Sequence, residues 1–175
     1  VQGMYRHLGV SVCELFRFGT SKGARLPLRV EGEGYLLSAL DEGRGVLAVT
    51  AHLGNWEILA RYGSRLPRPL NIVTRRLSLG LFQGIWQELR RGGPALLSSD
   101  GSARAIVQAL RNNEIVGFVL DQHAPETSAI RVPFFGKTAA TSTGLARLAR
   151  LTRVPVVPIF CWRDGYEHVV SISAP

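Results

Sequence analysis

The sequence predicts an α/β fold: a mostly parallel central sheet flanked by helices, with an antiparallel hairpin at its C-terminal end. Three observations carry this. Short apolar, partly β-branched runs such as Val46-Leu47-Ala48-Val49-Thr50 alternate with helix-like stretches of roughly 10 to 15 residues. The runs are apolar along their length, as strands buried on both faces require. Near the end, Arg163-Asp164-Gly165-Tyr166 places turn formers between two extended segments.

The elements follow in order. Residues 5–18 read as an amphipathic helix with Tyr5, Leu8, Val12, Leu15 and Phe16 on one side, ending at Gly19. Packing on the core is its expected role, and lying on a membrane surface is the alternative. Gly32 and Gly34 precede a short helix over 35–42. A strand at 46–51 leads to a helix at 55–66, whose apolar residues (Trp56, Leu59, Ala60, then Tyr62 and Leu66 at the ends of the last stretch) recur with helical spacing. Next come a strand at 70–74, a helix at 79–91, an extended piece at 95–98, a helix at 102–112 and a strand at 115–120. A loop to about Lys137 precedes a helix at 141–152 and strands at 155–162 and 168–172. Pro155 and Pro158 remove ladder donors, so the strand carrying them is expected at an edge or interrupted near the site.

The chemistry is concentrated in His52-Leu53-Gly54-Asn55-Trp56-Glu57. His52 falls where a strand ends, Gly54 lets the backbone turn, and Asn55 is the expected helix N-cap. Glu57 then lies in the first helical turn, where the helix dipole favours a carboxylate. Neutral imidazole has the basicity to take a proton from a hydroxyl near neutral pH, and a carboxylate on its other nitrogen fixes the tautomer. His52 is therefore the expected general base and Glu57 its orienter, a pairing suited to acyl transfer onto a hydroxyl. His52, Arg75 and Asp121 each follow a predicted strand, and ligands of such sheets collect at the carboxyl ends of strands. The three are expected on one rim.

The motif His-Leu-Gly-Asn-Trp-Glu resembles the signature of the lauroyl/myristoyl lipid A biosynthesis acyltransferases, within the lysophospholipid acyltransferase superfamily. Leu120-Asp121-Gln122, Val132-Pro133-Phe134-Phe135-Gly136, Ala140-Thr141-Ser142-Thr143-Gly144 and Val154-Pro155-Val156-Val157-Pro158 extend the resemblance from about Tyr5 onward. It implies a glycerolipid acyltransferase-like fold and a transferase of lipid A and lipopolysaccharide biosynthesis, attached to the cytoplasmic face of the bacterial inner membrane. The implied donor is acyl carrier protein or acyl-CoA, the acceptor a phosphorylated glycolipid, with direct attack and no cofactor. It also implies an arginine after the second strand, for substrate phosphate or developing charge. Arg75 fits, although Thr74 stands where the family often has an aromatic, and the Arg75-Arg76 doublet leaves the register open by one. Asp121 and Asn55 are further expected substrate-binding residues, and Trp86, Phe134 and Phe135 are expected along an acyl groove. The Phe-Pro-Glu-Gly of the glycerophosphate branch is absent, which argues against phosphatidic-acid synthesis. Another glycolipid or a lysophospholipid is the alternative acceptor.

The chain of 175 residues, 46% hydrophobic, suffices for one domain spanning 1–175. It starts at Val1 and ends just after a strand, and the family it resembles usually carries an N-terminal hydrophobic anchor and further C-terminal residues; the resemblance therefore implies a fragment lacking both. Twenty-one basic residues against 13 acidic give +8, and all but Lys22 and Lys137 are arginine. Arginine binds phosphate bidentately, and each basic residue adds about 1 kcal/mol at an anionic membrane surface. A non-catalytic domain binding anionic lipid or nucleic acid is the non-enzymatic alternative, but no nucleic-acid motif supports the latter and none is expected as partner. No apolar run approaches the roughly 20 residues of a membrane span. Cys13 and Cys161 lack paired spacing, both are expected buried, and no metal site is predicted. Gly19-Thr20-Ser21-Lys22-Gly23 matches a hydrolase pattern without the strand-turn-helix it needs. Gly136-Lys137-Thr138 lacks the upstream glycine of a P-loop, since Arg131 stands there. His123, in a proline-containing loop, is expected at the surface.

Overall fold

The computed structural model describes residues 2–20, 27–74, 93–98 and 102–175. Helix α1 (Gln2–Thr20) is followed by β1 (Leu28–Glu31), α2 (Glu33–Asp41), β2 (Val46–Thr50), α3 (Trp56–Gly63), β3 (Leu70–Thr74) and β4 (Ala95–Ser98). Then come α4 (Ala103–Arg111), β5 (Ile115–Val119), β6 (Ala129–Phe134), β7 (Lys137–Ser142), α5 (Gly144–Thr152), β8 (Val156–Asp164) and β9 (Glu167–Ile172). The helix expected at 79–91 lies outside the described residues.

Seven strands form one sheet in the order β1-β9-β8-β2-β5-β3-β4. All neighbours are parallel except β8 and β9, which form the predicted C-terminal hairpin through Gly165 at φ +58. Successive side chains of a strand face opposite layers. Val46 and Ala48 accordingly pack with Leu36, Leu40, Ile58 and Tyr62 of α2 and α3, while Leu47 packs with Ile106, Leu110 and Leu145 of α4 and α5. Both faces of the sheet are covered, the physical reason its strands are apolar throughout.

Four features differ from expectation. β1 was not foreseen; it adds a parallel edge beside β9, His168 N donating to Pro27 O at 2.8 Å. The expected loop to Lys137 is instead the antiparallel ribbon β6–β7, separate from the main sheet. Pro133 is tolerated there because a two-stranded ribbon leaves each strand one unpaired edge. β8 is an interior strand: Pro158 sits opposite Val49 at the end of its pairing with β2, and pairing with β9 begins at Ile159. The proline thus marks a change of partner rather than an edge. Finally, α1 buries Ser11 and Leu15 but leaves Met4, Tyr5, Leu8, Val12 and Phe16 exposed, and Cys13 is exposed whereas Cys161 is buried.

Candidate active site

Parallel register builds the site. β2 and β5 are neighbours with Thr50 opposite Val119, so the chains leave the sheet side by side and residues two positions further on face each other. Those residues are His52 and Asp121. The Asp121 carboxylate takes the His52 backbone N–H on Oδ2 and the imidazole Nδ1 on Oδ1, each at 2.8 Å. Nδ1 therefore carries the proton and donates it, leaving Nε2 as the acceptor. Trp56 meets the imidazole edge to face, ring centroids 5.0 Å apart at 80°. His52 and Asp121 side chains keep 31% and 36% exposure, so a substrate can reach them.

The turn between β2 and α3 has the predicted construction. Gly54 adopts φ +59, and a Cβ there would collide with the backbone of Cys161 and Trp162. Asn55 caps α3, its side-chain oxygen accepting from Glu57 N at 3.2 Å and Ile58 N at 3.4 Å. A cap of this kind contributes about 1 kcal/mol.

Three assignments change: those of Glu57, of Asp121, expected at substrate but bonded to His52, and of Asn55. Glu57 occupies the first turn of α3, but it is 5% exposed and itself engaged, and the carboxylate on the His52 imidazole is Asp121. Sequence spacing favoured the nearer acid; strand register brings the distant one. Asn55, expected at substrate, is 1% exposed, and its amide nitrogen donates to Glu14 Oε2 at 2.8 Å and Ser11 O at 3.3 Å. With its oxygen spent on the cap, its hydrogen-bonding capacity is committed inside the protein.

Behind this turn lies a polar cluster that sequence reasoning missed. Glu14 on α1 receives Arg163 through Nη2 at 2.8 Å and Nε at 3.2 Å, and lies 3.3 Å from His168 Nε2. His7 Nε2 donates to Gly54 O at 3.0 Å. The cluster ties α1 to the turn that presents His52. Burial alone would raise the Glu14 carboxyl, but Arg163 and Asn55 outweigh it and hold it below the usual carboxylate range. Burial depresses the His168 imidazole despite the neighbouring Glu14, and its Nδ1 is buried without a hydrogen-bond partner. His168 is thus neutral, with Nε2–H facing the carboxylate. The only available signals were Glu14 as the sole acid of α1 and a histidine beside Val169 and Val170 in a strand. Burial also pushes the Cys161 thiol up to about 11, so it is no nucleophile.

His52 and Glu57 open on a cavity of about 1640 Å³. That exceeds the roughly 300–1,000 Å³ of ordinary small-ligand pockets. Its walls are mainly apolar, including Leu15, Phe16, Leu59, Ile72 and Leu148, while His123 and Arg147 add polar groups. His123 is exposed at the surface, where it was expected, and also lines the cavity. Phe134 and Phe135, expected along an acyl groove, are instead 62% and 92% exposed at the β6–β7 turn and outside this lining, because the segment forms a projecting ribbon. Arg75, Arg76 and Trp86 lie outside the described residues. Among the described residues no cluster of His, Cys, Asp and Glu is arranged to hold a metal, and no helix is long and apolar enough to cross a membrane.

The chain is 28% identical over 159 residues to the phosphatidylinositol mannoside acyltransferase of Mycolicibacterium smegmatis, covering 87% of the chain and 52% of that protein. It is 27% identical over 161 residues to the Mycobacterium tuberculosis protein of the same name, covering 87% and 51%. With the lipid A biosynthesis myristoyltransferase of Escherichia coli it shares 34% identity over 96 residues, 53% of the chain and 29% of that protein. The chain therefore spans about half the length of the curated relatives it matches most extensively. The model of the bacterial lipid A biosynthesis acyltransferase family matches residues 1–175, and the chain belongs to that family.

Proposed function

We propose that this chain carries the acyl-transfer centre of a glycolipid O-acyltransferase working at a membrane surface. The observation that carries the proposal is the hydrogen bond from His52 Nδ1 to Asp121 at the edge of a large apolar cavity. Asp121 holds the imidazole in the tautomer that leaves Nε2 basic and stabilises the imidazolium once formed. As the acceptor hydroxyl attacks the thioester carbonyl, Nε2 takes its proton. The tetrahedral intermediate then expels the carrier thiolate, which recovers the proton from the imidazolium. The acyl chain passes directly to the hydroxyl, and no residue of the protein is acylated. Glu57 stands buried in the cavity wall beside the base, and Arg147 offers a cation to a phosphate of the substrate.

Acyl carrier protein is the proposed donor, with acyl-CoA second, and a phosphorylated lipid A precursor is the proposed acceptor, at the cytoplasmic face of the inner membrane. A second acceptor is favoured by one specific observation. The two mannoside acyltransferases match 87% of this chain against 53% for the lipid A enzyme. A mannosyl hydroxyl on an inositol phospholipid is that second reading. Full-length protein incubated with labelled acyl carrier protein or acyl-CoA and both acceptors decides. Transfer abolished by His52→Ala supports the mechanism; transfer that survives it, or a trapped acyl-enzyme, excludes it.

A further inference from the structure

We infer that the β6–β7 hairpin seats the protein on an anionic phospholipid bilayer, its tip placing Phe134 and Phe135 among the lipids and turning the mouth of the cavity toward the membrane. The inference deepens the proposed function, resting on a cavity that receives lipid substrates.

The hairpin rises from the rim of the cavity. Ser128 and Ser142 at its base line the cavity, and Thr143 N donates to Ser128 O at 3.1 Å to close that base. Strands of six residues carry the tip about 20 Å outward. The two residues at the tip, Phe135 and Gly136, have φ +48 and +75. Two-residue turns with both φ positive favour Asn-Gly or Gly-Gly, so backbone preference does not account for an aromatic at Phe135.

The side chains say what it serves. The Phe134 and Phe135 rings meet at 4.6 Å and 84°, forming one projecting aromatic knob. Alternation puts Ile130, Val132 and Phe134 on one face, and Ile130 is also exposed. Lys137 is opposite Phe134 in the register, and Arg131 lies further down the ribbon, bonded to Glu126 at 2.6 Å. Apolar rings beyond cations suit the boundary between headgroups and acyl chains, where the cations meet lipid phosphates. The net charge of +8 favours an anionic leaflet.

The test uses full-length protein and equimolar phosphatidylcholine/phosphatidylglycerol vesicles. Phe135→Trp, read as a difference from the parent, is expected to shift to the blue and be quenched by brominated lipid, with less quenching on adding Lys137→Glu. Phe134→Ser with Phe135→Asn keeps a residue that suits the turn. It is expected to slow transfer to a vesicle-embedded acceptor by roughly tenfold while leaving transfer to detergent-dispersed acceptor unchanged. A tryptophan that stays water-exposed on vesicles overturns the inference, as does equal loss in vesicles and detergent. Protection of that tryptophan only by acyl carrier protein reassigns the tip to a protein partner and overturns it too. The fluorescence reads the hairpin even if no acyl transfer is detected, so the two proposals fail separately.

Discussion

Asp121→Asn separates orientation of the base from its presence. Asp121 accepts two hydrogen bonds at 2.8 Å, one from the His52 backbone N–H and one from Nδ1. An amide in the same place has one acceptor and one donor. If its oxygen keeps the backbone N–H, its NH2 faces Nδ1, which must then accept. The proton moves to Nε2, and the nitrogen facing the acceptor hydroxyl becomes a donor unable to take a proton. In a buried serine-protease triad the same replacement costs about 10⁴-fold in kcat. Here both side chains are about one-third exposed, and water can support the other tautomer part of the time. The expected loss is therefore roughly 10²- to 10³-fold in kcat, about 3–4 kcal/mol of barrier, with little change in KM. The assay is labelled acyl transfer across a pH series, with circular dichroism to confirm folding. A variant retaining more than about a third of kcat would refute the assignment of Asp121.

Other outcomes follow from the same geometry. His52→Gln should fold normally and lose roughly 10²- to 10⁴-fold in transfer rate, the range of general-base help. Gly54→Ala meets the backbone of Cys161 and Trp162 at positive φ, and thermal denaturation should show a loss of about 2–4 kcal/mol together with disordered chemistry. Asn55→Ala removes the α3 cap and a partner of Glu14, for a loss of roughly 1–3 kcal/mol by denaturant titration. The folded-state pKa of His168 is depressed from 6.5, so its contribution to stability is complete above that value and declines as pH falls below it. The Glu14 pKa is depressed from 4.5, so a second decline sets in below that value. Melting temperatures measured from neutral to acid pH should fall in that order, and His168→Gln should flatten the first decline; an unchanged profile in that variant means another group titrates.

The residue string by itself determined the alternation of strands and helices, since apolar runs buried on both faces and amphipathic stretches between them have few other ways to pack. It also determined the strand-to-helix turn at His52, because Gly54 and Asn55 act on the backbone within a few residues of themselves. Tertiary structure decided what depends on distant partners. Register between β2 and β5 chose Asp121 over Glu57 for the imidazole. Packing of α1 against β8 and β9 assembled Glu14, Arg163 and His168 from positions up to 154 residues apart, with no local pattern to announce them. The β6–β7 ribbon was illegible because Pro133 weakens the strand signal and Phe-Gly is not a usual turn pair. Local physics is written along the chain, whereas which acid meets which base is settled only when strands align.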